Sequence, residues 1–407
     1  MDLHKIQLDV KCELREQHQA IVRFLHDLLT TPINNGHIAL AGDKIGEMMV
    51  QLGFDEVRCD TAGSILGRVG NGPRKLLYDC CLDTVSAVES DYASQSTNGD
   101  GDKNDVRRVP AIFGERCSTS PIVHAMATLK KLEAIEGWSL YYFGNARAQC
   151  EGMAAQALVE YEGVRPDFVI VGEPTGMQIH RGHRGHVEIS VTFRDHGNQH
   201  STTAHSDDPL YSALPFVQGI EQLDWALQDR PADQLGRGSI VVTSMRAHNA
   251  RPESDANPGF CMVYLDRYTH AAETKEEVLD ELRTLPNAHL AEIAVPLHDM
   301  PSYTGFVFPT EKYFSSWILA EDHPYVHISK LTFESCYSRR ARTGTWDYPT
   351  SACYWAGKAD IPTIGFGPGQ IHRARMAANE TAAEVVQCAD FYAMLPLFLA
   401  RGERTGE

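Results

Sequence analysis

The stretch Leu76–Val85, LLYDCCLDTV, ends an apolar run at Asp79, sets Cys80 and Cys81 after it, and opens the next turn with Asp83. Thiols can ligate soft metals or act as nucleophiles, and carboxylates can hold cations or accept protons, so this is a place where chemistry could occur. Two further groups of the same kind lie downstream, NARAQCEG with Arg147 and Cys150, and GEPT with Glu173. Each follows a run that reads as a strand: RKLLYDC, WSLYYFG and PDFVIV. In open parallel sheets functional groups gather at the carboxyl ends of strands, so three strand ends are expected to converge. A fourth feature, FGPG at Phe366–Gly369, is a glycine-rich turn after another strand. Its backbone N–H groups at Gly367 and Gly369 could hold a substrate carboxylate, although a tight turn alone calls for the same residues. The acidic STNGDGDKND resembles a calcium loop only in its alternating aspartates. It lacks the glycine at the sixth position and the glutamate at the twelfth, and reads as a solvated loop.

The elements that must position these groups alternate between helix and strand. Ile21, Phe24, Leu25, Leu28 and Leu29 fall at helical spacing, and 41–52 reads as a second amphipathic helix. GFDEVRCD, GSILGRVG and RKLLYDC read as short strands between glycine turns. PIVHAMATLKKLEAI and EGMAAQALVEYEG read as helices bracketing the strand WSLYYFG, the order of an α/β domain with a largely parallel sheet. With 407 residues, 43% of them hydrophobic and 22% charged, the chain suits one large or two moderate globular domains. No apolar run approaches the roughly 20 residues of a membrane span. The charge-mixed N-terminal stretch lacks a signal peptide's apolar core, and ten cysteines make no disulfide framework, so a reduced, cytoplasmic protein is expected. A net charge of −17 with no basic stripe argues against a nucleic-acid surface.

Seven segments fall in an order that resembles a known family: GFDEVRCDTAGSILGRVGNG, DTV, RPDFVIVGEPT, HRGHRGHVEISV, LDRY, PSYTGFVFPTE and IPTIGFGPG. They are similar to the dinuclear-zinc aminoacylases and peptidases, the family of acetylornithine deacetylase, succinyl-diaminopimelate desuccinylase and carboxypeptidase G. The resemblance implies a catalytic-type α/β domain with a largely parallel sheet, over 1–183 and 298–407. An inserted α+β sandwich, the lid or dimerisation domain, would occupy 184–297 and make a homodimer. Arg181 and Arg184 in HRGHRG would hold the junction.

The family's hydrolysis uses two zinc ions bridged by an aspartate and a glutamate that takes a proton from the water between them. Where the family has His-x-Asp, this chain has Cys81-Leu82-Asp83. The bridging aspartate of Gly-Arg-Gly-x-x-Asp becomes Thr119, and the Glu-Glu pair becomes Arg147 and Ala148. The second-metal acid is kept as Glu173, and the final histidine becomes Arg375 or Met376. The resemblance thus implies that only Asp83 and Glu173 survive, that the site is degenerate, and that zinc or any other cofactor is not expected. Arg147 or Arg375 could fill the place of a metal and pair with Asp83 and Glu173, or both could face solvent. Cys81, Cys117 and Cys150 could form a soft-metal site or contain an activated thiol, with His124 as a base for Cys81, or be ordinary buried residues. His200 matches the family's oxyanion-stabilising lid histidine, unless it is a surface histidine beside His205, and Asn257 matches a substrate-binding asparagine. Two functions follow. One is a pseudoenzyme or regulatory subunit binding a small amino-acid-like or acylated amino-acid ligand. The other is a repurposed enzyme performing amide cleavage, acyl transfer or cyclisation through Cys81. A mononuclear metalloenzyme would lack its general base.

Overall fold

The computed structural model describes residues 3–31, 38–82, 116–146, 152–195, 208–248, 259–271, 273–369 and 381–405. A nine-stranded sheet organises the larger part. Its strands are β1 (Glu56–Cys59), β2 (Ile65–Val69), β3 (Arg74–Cys81), β4 (Trp138–Asn145), β5 (Phe168–Val171), β6 (Ile179–His183), β14 (Trp317–Ile318), β15 (Thr343–Trp346) and β16 (Thr363–Gly365). The order is β1-β2-β4-β3-β5-β16-β6-β14, with β15 parallel beside β6. The expected parallel arrangement holds in the middle, where β4, β3, β5 and β16 run together. The flanks are antiparallel: β1–β2 is a hairpin whose second strand pairs with β4, and β6 runs against both β16 and β14.

Central parallel strands are covered on both faces, and the burial shows it: Leu76 through Cys81 are all buried. One face carries α1 (Leu3–Glu16), α2 (His18–Leu29), α3 (Ile38–Gln51), α4 (Thr119–Lys131), α8 (Pro324–Tyr337) and α10 (Thr381–Thr405), packed on Tyr78, Cys80 and Leu82. The other carries α5 (Met153–Glu160) and α9 (Ala352–Trp355), packed on Leu77, Phe143 and Val171. The span Ala383–Arg401 of α10 is long and apolar enough by composition to cross a membrane. Val385, Cys388 and every residue from Phe391 to Leu395 are nevertheless buried against the sheet and its helices, as in a core helix.

The inserted part is an antiparallel sheet, β10 (Ala291–Ala294), β7 (Gly185–Arg194), β9 (Phe260–Thr269) and β8 (Ser239–His248), in that order. In β9 every second residue is buried, the period of a half-covered sheet. Its apolar face is covered by α6 (Pro209–Asp229) and α7 (Lys275–Arg283) through Phe216, Ile220 and Leu282. Both helices start where the sequence dictates. Asp208 accepts from the Leu210 amide just ahead of Pro209, and Thr274 forms a capping box with Glu277. The return passes through a small ribbon, β11 (Leu297–His298) with β12 (Thr310–Glu311), then β13 (Tyr313–Phe314), which pairs with β7.

Candidate functional site

The expected convergence of strand ends is met by β3, β4, β5 and β16. Cys81 lies opposite Asn145, Asp79 opposite Val171, and Val171 opposite Gly365. The ladder continues past the strands: the Leu82 amide donates to Asn145 (2.8 Å) and the Gly172 amide to Asp79 (2.8 Å). Cys81, Asn145, Glu173 and Gly367 therefore share one rim.

Strand β3 does not stop at Asp79 but runs through it to Cys81. Asp79 is buried, one oxygen accepting from Asn145 Nδ2 (2.6 Å) and the other from Trp355 Nε1 (2.6 Å), with the Ser351 hydroxyl a third donor. Burial raises its pKa against those three donors. By the alternation of a strand, Cys81 shares this face with Asp79 while Cys80 points to the other.

Cys80 faces Thr119, the first residue of α4. Thr119 Oγ1 lies 2.9 Å from Tyr142 Oη and also hydrogen-bonds the Cys80 thiol. Gly172 completes the wall, because a Cβ there would come within 2.7 Å of Cys80 Sγ and 2.9 Å of Ser118 Cβ. Ser118 Oγ in turn contacts Tyr392 Oη (3.1 Å), and the Tyr78 hydroxyl donates to the Tyr392 carbonyl (2.7 Å). Burial pushes the Cys80 thiol far up, with the Asp79 and Glu173 charges adding to it, and pushes Tyr142 up in the same way. Both are protonated and neutral at neutral pH.

Arg116, which the sequence did not single out, is buried at the same rim. Its Nε (2.8 Å) and Nη2 donate to the Leu82 carbonyl, and Nη1 reaches the Leu28 carbonyl in the last turn of α2 (3.4 Å). The one available signal was its place three residues before Thr119, where the family pattern has a glycine.

His124 is held within α4, its Nδ1 donating to the Ser120 carbonyl (2.8 Å) and its ring lying 6.2 Å from Phe24. Burial lowers its pKa. It sits on the α4 face of the large sheet, and Cys81 points to the opposite face, so the two are not brought together as nucleophile and base. The glycine-turn amides are already engaged inside the protein. Gly367 N–H donates to Thr175 Oγ1 (3.1 Å) and Gly369 N–H to the Glu384 carboxylate (3.0 Å), so a ligand carboxylate would have to displace these acceptors. Asp83, Arg147, Ala148, Cys150, His200, His205, Asn257, Arg375 and Met376 lie outside the described residues. Among the described residues no three His, Cys, Asp or Glu side chains are grouped to hold a metal ion.

Residues 181–294 match the family profile described as a peptidase dimerisation domain. The uncharacterized protein YgeY of Escherichia coli K12 is 30% identical over 396 residues, covering 95% of this chain and 96% of its own. Acetylornithine deacetylase of Buchnera aphidicola is 31% identical over 242 residues, 58% of each chain. The fold is shared with Bacillus subtilis YxeP, described as a dinuclear metal-binding peptidase of family M20 (TM-score 0.63, 11% identity, 95% of this chain and 99% of that one). It is shared equally with human carnosine dipeptidase 1 (TM-score 0.62, 12% identity, 97% and 100%). Strand order, inserted sheet and full-length sequence relationship agree, and the chain belongs to the M20 aminoacylase and peptidase family.

Proposed function

We propose that this family member is a metal-independent, non-hydrolytic protein. In this reading it binds a small amino-acid-like or N-acylated amino-acid ligand at the ends of β3, β4, β5 and β16, as a pseudoenzyme or regulatory subunit. The observation that carries the reading is the environment of Thr119. A bridging position must supply a carboxylate to two cations, and this one supplies a neutral hydroxyl engaged with Tyr142 and Cys80. That donor set does not fit a dinuclear zinc centre. The other reading, catalysis through Cys81, gains nothing from His124, which faces away from it.

A homodimer through the inserted sheet is part of the proposal. Strand β8 is an edge of that sheet with Val241 half exposed, and Tyr211, Leu214 and Trp225 on α6 are exposed large apolar groups. The nine described cysteines are free, which suits a reducing cytoplasm.

The deciding experiment is elemental analysis of the purified protein before and after zinc loading, with N-acetylornithine hydrolysis assayed in both states. The expected result is zinc well below one ion per chain and no hydrolysis. Near-stoichiometric zinc with activity would overturn the reading.

A further inference from the structure

The turn Phe366–Gly369 is fixed by the loop between β5 and β6. Gly367 N–H donates to Thr175 Oγ1 (3.1 Å), and the Gly367 carbonyl accepts from the Thr175 hydroxyl (3.1 Å), the Thr175 amide (3.3 Å) and the Met177 amide (3.0 Å). The Gly369 carbonyl accepts from the Gly176 amide (2.6 Å). The near end of the turn is closed, since a Cβ at Gly367 would meet Glu173 O at 2.4 Å and Ser118 Oγ at 2.9 Å. The far end is open. Gly369 has a φ of +74°, which favours glycine, and a Cβ there would meet none of the described residues within 4 Å.

One of the protein's own carboxylates engages this open end. Glu384, in the first turn of α10, accepts from the Gly369 N–H (3.0 Å). Among the described residues that amide is its one hydrogen-bond donor, and no Lys, Arg or His nitrogen lies within 4 Å of it. Its surroundings do little to compensate the charge. Burial pushes the Cys117 thiol up to about 12 and the Cys388 thiol far up, and the Glu384 charge adds to both, so two neutral thiols face a half-buried carboxylate. A cation stands close by. Arg339, exposed just past α8, lies over the Phe333 and Tyr337 rings at 5.2 and 5.7 Å, and Tyr337 Oη donates to the Gln387 carbonyl on α10 (2.8 Å). Arg339 acts on the Cys388 thiol from there, one helical turn beyond Glu384, and has no carboxylate within 4 Å among the described residues.

We infer that Glu384 is a built-in occupant of a carboxylate subsite: it holds the Gly369 amide until the carboxylate of a small ligand takes its place, and Glu384 then turns to Arg339. The exchange replaces one charge-assisted hydrogen bond at the amide by another and adds an ion pair at Arg339. The turn keeps its shape throughout, because the β5–β6 loop holds it without help from Glu384. An internal occupant reduces the apparent affinity for the ligand by the fraction of molecules in which it is displaced, so its removal should tighten binding. The inference rests on the proposed function only for the class of ligand, a small molecule bearing a carboxylate.

The test is isothermal titration calorimetry of the full chain with N-acetylglycine, acetate and the uncharged N-acetylglycinamide. Glu384→Gln, which keeps the shape and loses the charge, and Glu384→Ala should each bind N-acetylglycine and acetate about tenfold more tightly than the wild type, with the amide unaffected. Arg339→Gln should weaken N-acetylglycine binding in the wild type and do much less in the Glu384→Gln background, since Glu384 no longer needs a place to go. N-acetylglycine bound equally by wild type and both Glu384 variants would overturn the inference and leave the proposed function standing. Tightened acetate binding by the variants with no binding of N-acetylglycine would sustain the subsite and overturn the ligand reading. No carboxylate binding by any form, or failure of both Glu384 variants to fold, would make the Glu384 contact structural and overturn the inference.

Discussion

The neutral network at Thr119 can be tested by taking it apart. Thr119→Val keeps the shape and removes the hydroxyl, which leaves the Tyr142 hydroxyl and the Cys80 thiol without this partner in a fully buried place. Stranding a buried hydroxyl costs about 1–3 kcal/mol, and the sulfur contact adds less, so the variant should lose about 2 kcal/mol. Tyr142→Phe should cost about the same from the other side. Removing both groups leaves no stranded hydroxyl in the pair, so the double variant should be less damaged than the sum, with a coupling of about 1–2 kcal/mol. Urea unfolding followed by far-ultraviolet circular dichroism gives the four free energies, provided the slopes agree. Thr119→Asp completes the logic. With Asp79 and Glu173 already acting on Cys80, a third acid should destabilise by more than either single variant and should not recruit zinc. Additive single costs would refute the view that Thr119 and Tyr142 form one closed network. A Thr119→Asp protein as stable as the wild type, with zinc bound, would refute the reading of position 119 altogether.

Other perturbations follow the same physics. Asp60 is buried in the β1–β2 turn, where burial and the Glu162 charge push it up to about 6 against the Ser64 and Gly63 amides. Its folded pKa exceeds the unfolded one, so its contribution to stability is greatest below about pH 4 and is lost as pH rises through 6. Asp60→Asn should therefore gain on the wild type across that window, reaching at most about 3 kcal/mol above it, in thermal unfolding at a series of pH values; a constant difference would remove the argument. Arg116→Met strands the Leu82 carbonyl and should cost about 2–4 kcal/mol in urea unfolding, and Arg116→Lys should recover only part, because an ammonium cannot reach both carbonyls as a fork does. Val241→Lys on the β8 edge should turn the proposed dimer into monomer in light scattering behind size exclusion, with circular dichroism unchanged.

The elements were legible because their signals are local. The apolar run of β3, the helical spacing in α2 and the glycine turns each announce themselves within a dozen residues. The side-chain partnerships were not legible, for the opposite reason. A lone acid inside LLYDCC reads as the end of a strand, and only the fold reveals that Trp355, 276 residues away, makes it a buried position. Thr119 was singled out in the sequence as a changed position, yet the hydroxyl and thiol that satisfy it come from β4 and β3. The glycines of FGPG signalled free amides, but Thr175, just after β5, and Glu384 on α10 accept from them. Arg116 left no signal beyond its place three residues before Thr119, since the Leu82 and Leu28 carbonyls it bonds are brought to it by the fold.

These partnerships bear on how a member of this family can keep its fold with a different rim. The positions of the strand ends are set by cores on both faces of the sheet and by backbone ladders that run past the last strand residue, none of which consults the side chains at the rim. A bridging carboxylate, by contrast, is tolerable in a buried place only while a cation is there to compensate it. In the proposed reading Thr119 removes that demand, because hydroxyl, phenol and thiol satisfy one another without net charge. Asp79, buried beneath the same rim, is satisfied without a cation by three hydrogen-bond donors of its own.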